Sequence, residues 1–289
     1  MNHHIRDNIV FVAIATFAFL SEPTIAQGQN REYDPINFTQ QLNFERGSLS
    51  PKSQNAIYLT HTDTCRLVQK EFGWLASQCD EIENIVFGYL PNLDNIIVNK
   101  PNTDGFVKFD DWEDRDLDAE IELIWDSYVS GIASQSAQLG INITPIDWYV
   151  YPTLKKKNGY MYYAVLLDWN GERTLNVNAT LFDRKGFVNF SLVPIDPNIG
   201  KSELEDTIGN VLVSYTPTVD QSYVDFSSGD KIAAVGAVGV LASLLGVKYG
   251  KAAATGLFAI LLIFAKKLWF LVFLPLFLIP KLFRRKKEH

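Results

Sequence analysis

The C-terminal end of the chain places the strongest limit on what the chain folds into. From Ile232 onwards the sequence is apolar apart from isolated lysines and a few small polar residues, and it ends in the basic tail Leu282–His289. The apolar blocks are 232–247, 252–265 and 268–280. A helix that crosses a bilayer needs about 20 apolar residues, so each block alone is short. We expect residues 231–289 to form a hydrophobic helical membrane anchor.

Charge predicts the orientation of this anchor. Lys266 and Lys267 separate the last two blocks, and they are expected at an interface because lysines at mid-bilayer are costly. The basic tail is expected in the cytoplasm, so an exported domain requires one crossing or three. Gly236, Gly239 and Gly246 have spacing that suits close helix packing, which predicts self-association, although small residues are also common in membrane segments.

The N-terminal sequence has the features of an export signal. The apolar run Ile9–Leu20 is too short to span a bilayer, and small residues follow it up to Ala26. We predict a cleaved signal peptide over residues 1–26, with an uncleaved signal anchor as the alternative. The net charge of the chain is −7, and its basic residues concentrate in the anchor, so the exported part is more acidic than the total. An acidic surface argues against nucleic acid as a partner.

The sequence between the two ends predicts one domain. Residues 27–53 are polar and predict a flexible lead-in, whereas residues 54–230 have the length of a single core. Apolar residues recur at helical spacing over 117–139, and Gly140 ends that helix. Shorter helices are predicted over 62–72 and from Ser202, where Glu205 would complete a capping box.

Strands are predicted where the apolar period changes to two after the long helix. They cover residues 160–169, 174–182 and 187–194, and Asn170-Gly171 predicts a tight hairpin between the first two. Two further short strands are predicted over 85–90 and 95–99. The order of helices and strands predicts an α+β domain, in which helices cover one face of a mostly antiparallel sheet.

The two cysteines of the chain are Cys65 and Cys79. Disulfides persist in exported domains, and the segment between these residues crosses a helix end and a turn. A disulfide between them is predicted, and two free thiols are the alternative.

Residues 105–128 are rich in carboxylates. Asp114, Asp116 and Asp118 imitate the start of an EF-hand loop, but Ala119 and Trp125 stand where that loop needs glycine and a bidentate glutamate. Carboxylates in the first turn of a helix stabilise its positive end, which is the simpler interpretation. No metal site is therefore predicted, with a different calcium arrangement by Asp110, Asp111 and Asp114 as the alternative.

The start of this acidic segment is a sharper candidate. Lys108 lies in a short predicted strand, and Asp110 and Asp111 lie at its exit. Trp148 and Trp169 belong to a dense aromatic group, part of which could face solvent and bind glycan or a partner, with core packing as the alternative. These five residues are the candidate partner or ligand surface. Lys155-Lys156-Lys157 is expected to be a hairpin tip that is solvated or touches anionic lipid.

The motif Gly105-x-Val107-Lys108-x-Asp110-Asp111, followed by Asp116-Leu117-Asp118-Ala119 and a long helix, resembles a bacterial family of uncharacterised, predicted membrane-anchored proteins that carry a domain of unknown function. Further matching pieces are Gly88-Tyr89-Leu90-Pro91, Trp148 with Pro152, Thr174-Leu175-Asn176-Val177-Asn178, Arg184-Lys185-Gly186 and Asp230-Lys231-Ile232-Ala233-Ala234. The chain departs from the family at Tyr163-Ala164-Val165, where members often have Trp-Ala-Lys. The resemblance implies an envelope protein of the cytoplasmic membrane whose domain is periplasmic. It implies no reaction.

No sequence motif indicates an enzyme. Nucleotide-binding glycine loops and nucleophile elbows are absent from the sequence, and His61 is the only histidine between residues 27 and 230. No catalytic residue and no cofactor are predicted. The sequence favours a non-enzymatic binding or adaptor module at the outer face of the cytoplasmic membrane, with the bilayer and a protein or envelope component as partners. The alternatives are an envelope hydrolase that uses carboxylates near Asp110 and Asp111, and a small-ligand sensor.

Overall fold

The computed structural model of the protein describes residues 33–71 and 76–248. Its helices are α1 (His61–Glu71), α2 (Ala76–Cys79), α3 (Leu117–Leu139), α4 (Lys201–Leu212) and α5 (Ala237–Leu244). Its strands are β1 (Ile36–Asn37), β2 (Leu42–Phe44), β3 (Gly47–Leu49), β4 (Ile57–Leu59), β5 (Ile82–Phe87), β6 (Leu93–Asn99), β7 (Ile143–Lys155), β8 (Tyr160–Trp169), β9 (Glu172–Asp183), β10 (Gly186–Pro194) and β11 (Tyr215–Pro217). Short 3₁₀ turns occur at Asp110–Glu113, Lys156–Asn158 and Tyr223–Asp225.

An eight-stranded antiparallel sheet organises the domain. Its strand order is β1-β4-β5-β6-β10-β9-β8-β7, and a second sheet of three strands has the order β11-β3-β2. The α+β class and the antiparallel pairing are thus confirmed. Local signals were accurate here: Gly140 ends α3 with φ 67°, and Asn170 and Gly171 both have positive φ in the hairpin between β8 and β9.

Helices cover both faces of the large sheet, so the predicted one-sided arrangement is wrong. On β6, Ile96 and Val98 pack in the cluster that includes α4, whereas Ile97 between them packs in the cluster that includes Val68 of α1. Successive side chains of a strand point to opposite faces, so a strand that is apolar at consecutive positions needs cover on both.

The segment predicted to be a flexible lead-in contributes strands. Residues 36–49 form β1, β2 and β3, and Phe38 and Leu49 are fully buried in the same cluster as α4. Leu49 pairs with Tyr215 of β11. The polar composition of the segment conceals the few apolar residues that tie it to the core.

The first apolar block of the predicted anchor also folds with the domain. The chain divides into two compact units after Val247, so α5 belongs to the unit that holds the sheet. Leu241 and Ala242 of α5 are fully buried. Among the described residues no helix has both the length and the apolar character that a membrane crossing requires. The predicted signal peptide, the two later blocks and the basic tail lie outside the described residues.

Candidate functional site

The acidic turn Asp110–Glu113 holds the start of α5. Both carboxylate oxygens of Asp111 accept backbone hydrogen bonds of 3.0 Å, Oδ1 from Ala237 N and Oδ2 from Val238 N. The first N–H groups of a helix have no partner within the helix, and they form its positive end. Asp111 therefore acts as a capping carboxylate from a distant part of the chain.

Burial raises the pKa of Asp111, and the hydrogen bonds from Val238 and Ala237 oppose that rise. The fit is close, because a Cβ added to Gly236 would lie 2.3 Å from Asp111 Oδ2. Glycine at position 236 thus leaves the room that the carboxylate occupies. The predicted helix-packing role of Gly236 stays a prediction, and in the described domain this glycine faces Asp111.

The backbone before Asp111 continues the same contact. Phe106 N donates to Lys231 O at 2.8 Å, Ala233 N donates to Phe106 O at 2.9 Å, and Ala237 N donates to Lys108 O at 3.2 Å. We call residues 105–111, with the segment 231–238 that they hold, the C-terminal clamp. The side chains of Lys108 and Asp110 are exposed.

A second group of candidate residues lies where α3 crosses β7. The Trp125 and Trp148 rings are 4.9 Å apart, and Tyr151 OH donates to Asp118 Oδ1 at 3.1 Å. Glu122 of α3 is exposed, and its charge adds to that of Asp118 beside Tyr151. We call these five residues the α3–β7 surface. It brings Trp148, one of the candidates of the sequence, together with residues of the acidic segment.

Charge on this surface has one sign. The sequence of α3 contains Asp118, Glu120, Glu122 and Asp126 and no lysine or arginine. Burial and the neighbouring Asp118 carboxylate raise the pKa of Tyr151 to about 12. The tyrosine is therefore a neutral hydroxyl donor at physiological pH, and the surface offers a partner carboxylates beside aromatic rings.

The edge of the sheet is protected against strand addition at this surface. β7 is the last strand in the order, and its pairing with β8 has three register irregularities. Pro145 and Pro152 lie within β7 and lack the N–H that a further strand would use. Bulges and prolines are common protections of an edge strand, so this surface offers side chains rather than backbone to a partner.

The other aromatic residues are part of the core or lie elsewhere. Tyr162 is 5 % exposed and packs in the cluster that includes α4, so for this residue the alternative of core packing is the one observed. Trp169 is half-buried at the end of β8, where it pairs with Ile143, whereas Trp148 pairs with Val165. The structure therefore does not bring Trp169 to the α3–β7 surface.

One buried ion pair has no sequence signal. Arg46 Nη1 lies 3.1 Å from Asp183 Oδ1, and both side chains are almost fully buried. Burial raises the pKa of Asp183, and Arg46 opposes that rise. Arg46 also donates to the carbonyls of Asn102 and Phe187. The pair joins segments far apart in the chain, so local patterns could not reveal it.

Cys65 of α1 and Cys79 at the end of α2 are joined by a disulfide, with their Cα atoms 5.4 Å apart. His61 Nδ1 lies 2.8 Å from Ile82 O, which gives that histidine a structural contact. Among the described residues no group of three or more His, Cys, Asp or Glu side chains is placed to hold a metal ion.

These features define an α+β domain with a large antiparallel sheet, whose last helix is clamped by an acidic turn. The chain belongs to the family described as proteins of unknown function, DUF2167, whose model matches residues 40–277. The resemblance to a family that carries a domain of unknown function is thereby confirmed. A search of the curated proteins found no match.

Proposed function

We propose that this protein is a non-enzymatic binding module, held at the outer face of a cytoplasmic membrane by its C-terminal end, and that it recognises a protein or envelope component through the α3–β7 surface. The observation that supports this most is the composition of that surface. The half-buried rings of Trp125 and Trp148, with Tyr151 partly exposed beside them, are the aromatic residue types that are enriched at protein interfaces. The carboxylates of α3 next to them give the surface a charge that a partner can match.

The periplasmic location is supported by the disulfide. A bond between Cys65 and Cys79 persists in an oxidising compartment and is rare in the cytoplasm. Trapping free thiols in intact cells, followed by non-reducing electrophoresis, tests this. Complete protection of both cysteines is expected, and two alkylated thiols would contradict the location.

A single membrane crossing is supported by α5. Three crossings would require the block 232–247 as one of the spans, but α5 in that block is buried in the domain. The later blocks, 252–265 and 268–280, would then supply one crossing between them. Reporter fusions after Val247 and after His289 should give opposite locations.

The hydrolase alternative has less support. Both carboxylate oxygens of Asp111 are engaged by backbone N–H groups of α5, and Asp110 is exposed on the same turn. A catalytic carboxylate pair needs two groups that face each other across a cleft. We therefore favour binding over hydrolysis.

Site-specific photo-crosslinking in native membranes tests the proposed surface. A photoreactive amino acid at Glu122 should give a discrete crosslinked product, which Tyr151→Ser and Asp118→Lys together should abolish. Val213 is 74 % exposed at the end of α4 and is the control position. The same products at both positions, or none at Glu122, would contradict the proposal.

A further inference from the structure

The hairpin tip between β7 and β8 meets the loop 218–226. A Cβ added to Gly159 of the tip would lie 3.2 Å from Tyr223 Cβ. Between tip and loop lies a cavity of about 220 Å³. Its lining includes Lys157, Asn158, Ser222, Tyr223 and Val224. We call the tip, the loop and this cavity the tip–loop surface.

The loop exposes apolar side chains. Val219 and Val224 are 83 % and 80 % exposed, the largest values among the large hydrophobic residues that the structure describes. Phe226 fixes the base of the loop, because its ring stacks on Phe106 of the C-terminal clamp at 4.1 Å. The supported loop therefore presents two protruding aliphatic side chains at the surface.

The tip supplies positive charge beside these valines. Lys157 is exposed and makes no ion pair with a described residue. Lys155 is also exposed, and its ammonium lies 6.0 Å from the centre of the Tyr162 ring. Lys156 is neutralised by an ion pair with Glu113. Two lysines are therefore available to an anionic ligand.

The acidic groups around the loop are largely engaged within the protein. Asp225 accepts a hydrogen bond of 2.9 Å from Ser222 N. Arg184 pairs with Asp230, and that bond raises the pKa of Arg184, with smaller contributions from Asp220 and Asp225. Asp110 lies near Tyr223 of the loop, because its charge adds to the effect of burial in raising the pKa of that tyrosine. The Asp220 side chain is exposed on the loop, so the positive charge of this surface is confined to Lys155 and Lys157 of the tip.

We propose that the tip–loop surface binds the anionic headgroups of the bilayer, with Lys155 and Lys157 beside the phosphates and Val219 and Val224 in the interfacial layer. Basic side chains next to exposed aliphatic ones are the combination that holds proteins to anionic lipid surfaces. The inference rests on the proposed anchor. Residues 245–251 separate the end of α5 from the next apolar block and span at most about 25 Å, so the proposed anchor would keep the end of α5 within that distance of the bilayer.

A single dye on the loop tests this contact in the full-length protein. The only native cysteines are bonded to each other, so Val224→Cys gives one thiol for an environment-sensitive dye. The labelled protein is reconstituted in vesicles of phosphatidylcholine and of phosphatidylcholine mixed with phosphatidylglycerol. We expect blue-shifted emission with phosphatidylglycerol only, lost in the Lys155→Glu/Lys157→Glu variant. Val213→Cys is the matched control and should show no shift.

Emission at Val224 that matches the control in both kinds of vesicle overturns the proposal. An equal shift in both kinds of vesicle overturns the recognition of anionic headgroups. Alkaline carbonate extraction separates failure of the anchor from failure of this surface. Protein that washes off has no anchor, and the emission of its dye with anionic vesicles before the wash still decides whether the surface binds lipid.

Discussion

Asp111 and Asp118 belong to the same acidic segment, and the structure uses them in opposite directions. Asp111 points inward and caps α5, with both oxygens bound to backbone N–H groups. Asp118 lies on the exposed side of α3, where it accepts a hydrogen bond from Tyr151. The first carboxylate stabilises the domain, and the second is available to a partner. Acidic composition alone does not distinguish the two roles, because they depend on contacts with distant parts of the chain.

The largest effect should come from removing the inward carboxylate. Asp111→Ala leaves two N–H groups at the start of α5 without an acceptor, and we expect a loss of about 2–3 kcal/mol in the free energy of unfolding. Chemical denaturation of the detergent-solubilised protein measures this. Asp110→Ala is the control. The side chain of Asp110 is exposed, so its removal should change the free energy of unfolding by less than about 0.5 kcal/mol. Equal losses in both variants would show that Asp111 does not act as a cap.

A slightly smaller effect is expected at the start of the C-terminal clamp. Gly105 has φ 123°, and a Cβ there would lie 2.7 Å from Lys231 O. Gly105→Ala should therefore cost about 2 kcal/mol. Gly209→Ala in α4 is the contrasting change, because its Cβ meets open space and alanine favours a helix by up to about 1 kcal/mol. A stability gain for both variants would argue against the clamp.

The pH dependence of stability gives a subtler comparison. Burial raises the pKa of Asp111 in the folded state above its ordinary value. The folded protein therefore binds this proton more tightly than the unfolded chain, and stability should fall as pH rises from the ordinary value of an aspartate to the raised one. Asp111→Asn should lack this fall. The pKa of Asp183 is also raised, but Asp183 is present in the wild-type protein and in the Asp111→Asn variant. The difference between their curves of stability against pH therefore isolates Asp111.

The smallest effect on stability should come from the outward residues. Glu122→Lys should change the free energy of unfolding by less than about 0.5 kcal/mol, since that side chain is exposed on α3. The same variant should lose most of its partner binding, because it reverses the charge beside Tyr151. A photoreactive residue at the exposed position Asp126 measures this binding. Normal binding by Glu122→Lys would remove this residue from the recognition surface.

Local signals predicted the local elements of the fold. The bounds of α3, the hairpin at Asn170-Gly171 and the antiparallel strands follow from periodicity and turn chemistry, which depend on neighbouring residues. The capping box expected at Ser202 is absent, because α4 begins one residue earlier with Gly200 as its N-cap. A capping box occurs instead at Ser222, where Asp225 completes it.

Features that depend on distant contacts were not predictable. Apolar composition at residues 232–247 suits a membrane segment and a buried core helix equally well. The contact that distinguishes the core helix is its hydrogen bond to Asp111, more than 100 positions earlier in the chain. The candidate residues of the sequence therefore lie apart in the structure, with Lys108 and Asp110 beside the C-terminal clamp and Trp148 on the α3–β7 surface.

The position of α5 at the end of the domain has a consequence for biogenesis. The helix takes its place in the core only after nearly the whole of residues 33–247 has left the ribosome. Until then the Asp111 carboxylate and α3 lack their contacts with α5, and incompletely folded chains with exposed apolar surface are prone to aggregation and proteolysis. Completion of the fold thus waits for the last residues of the domain, so that a chain truncated before Ile232 would lose its compactness.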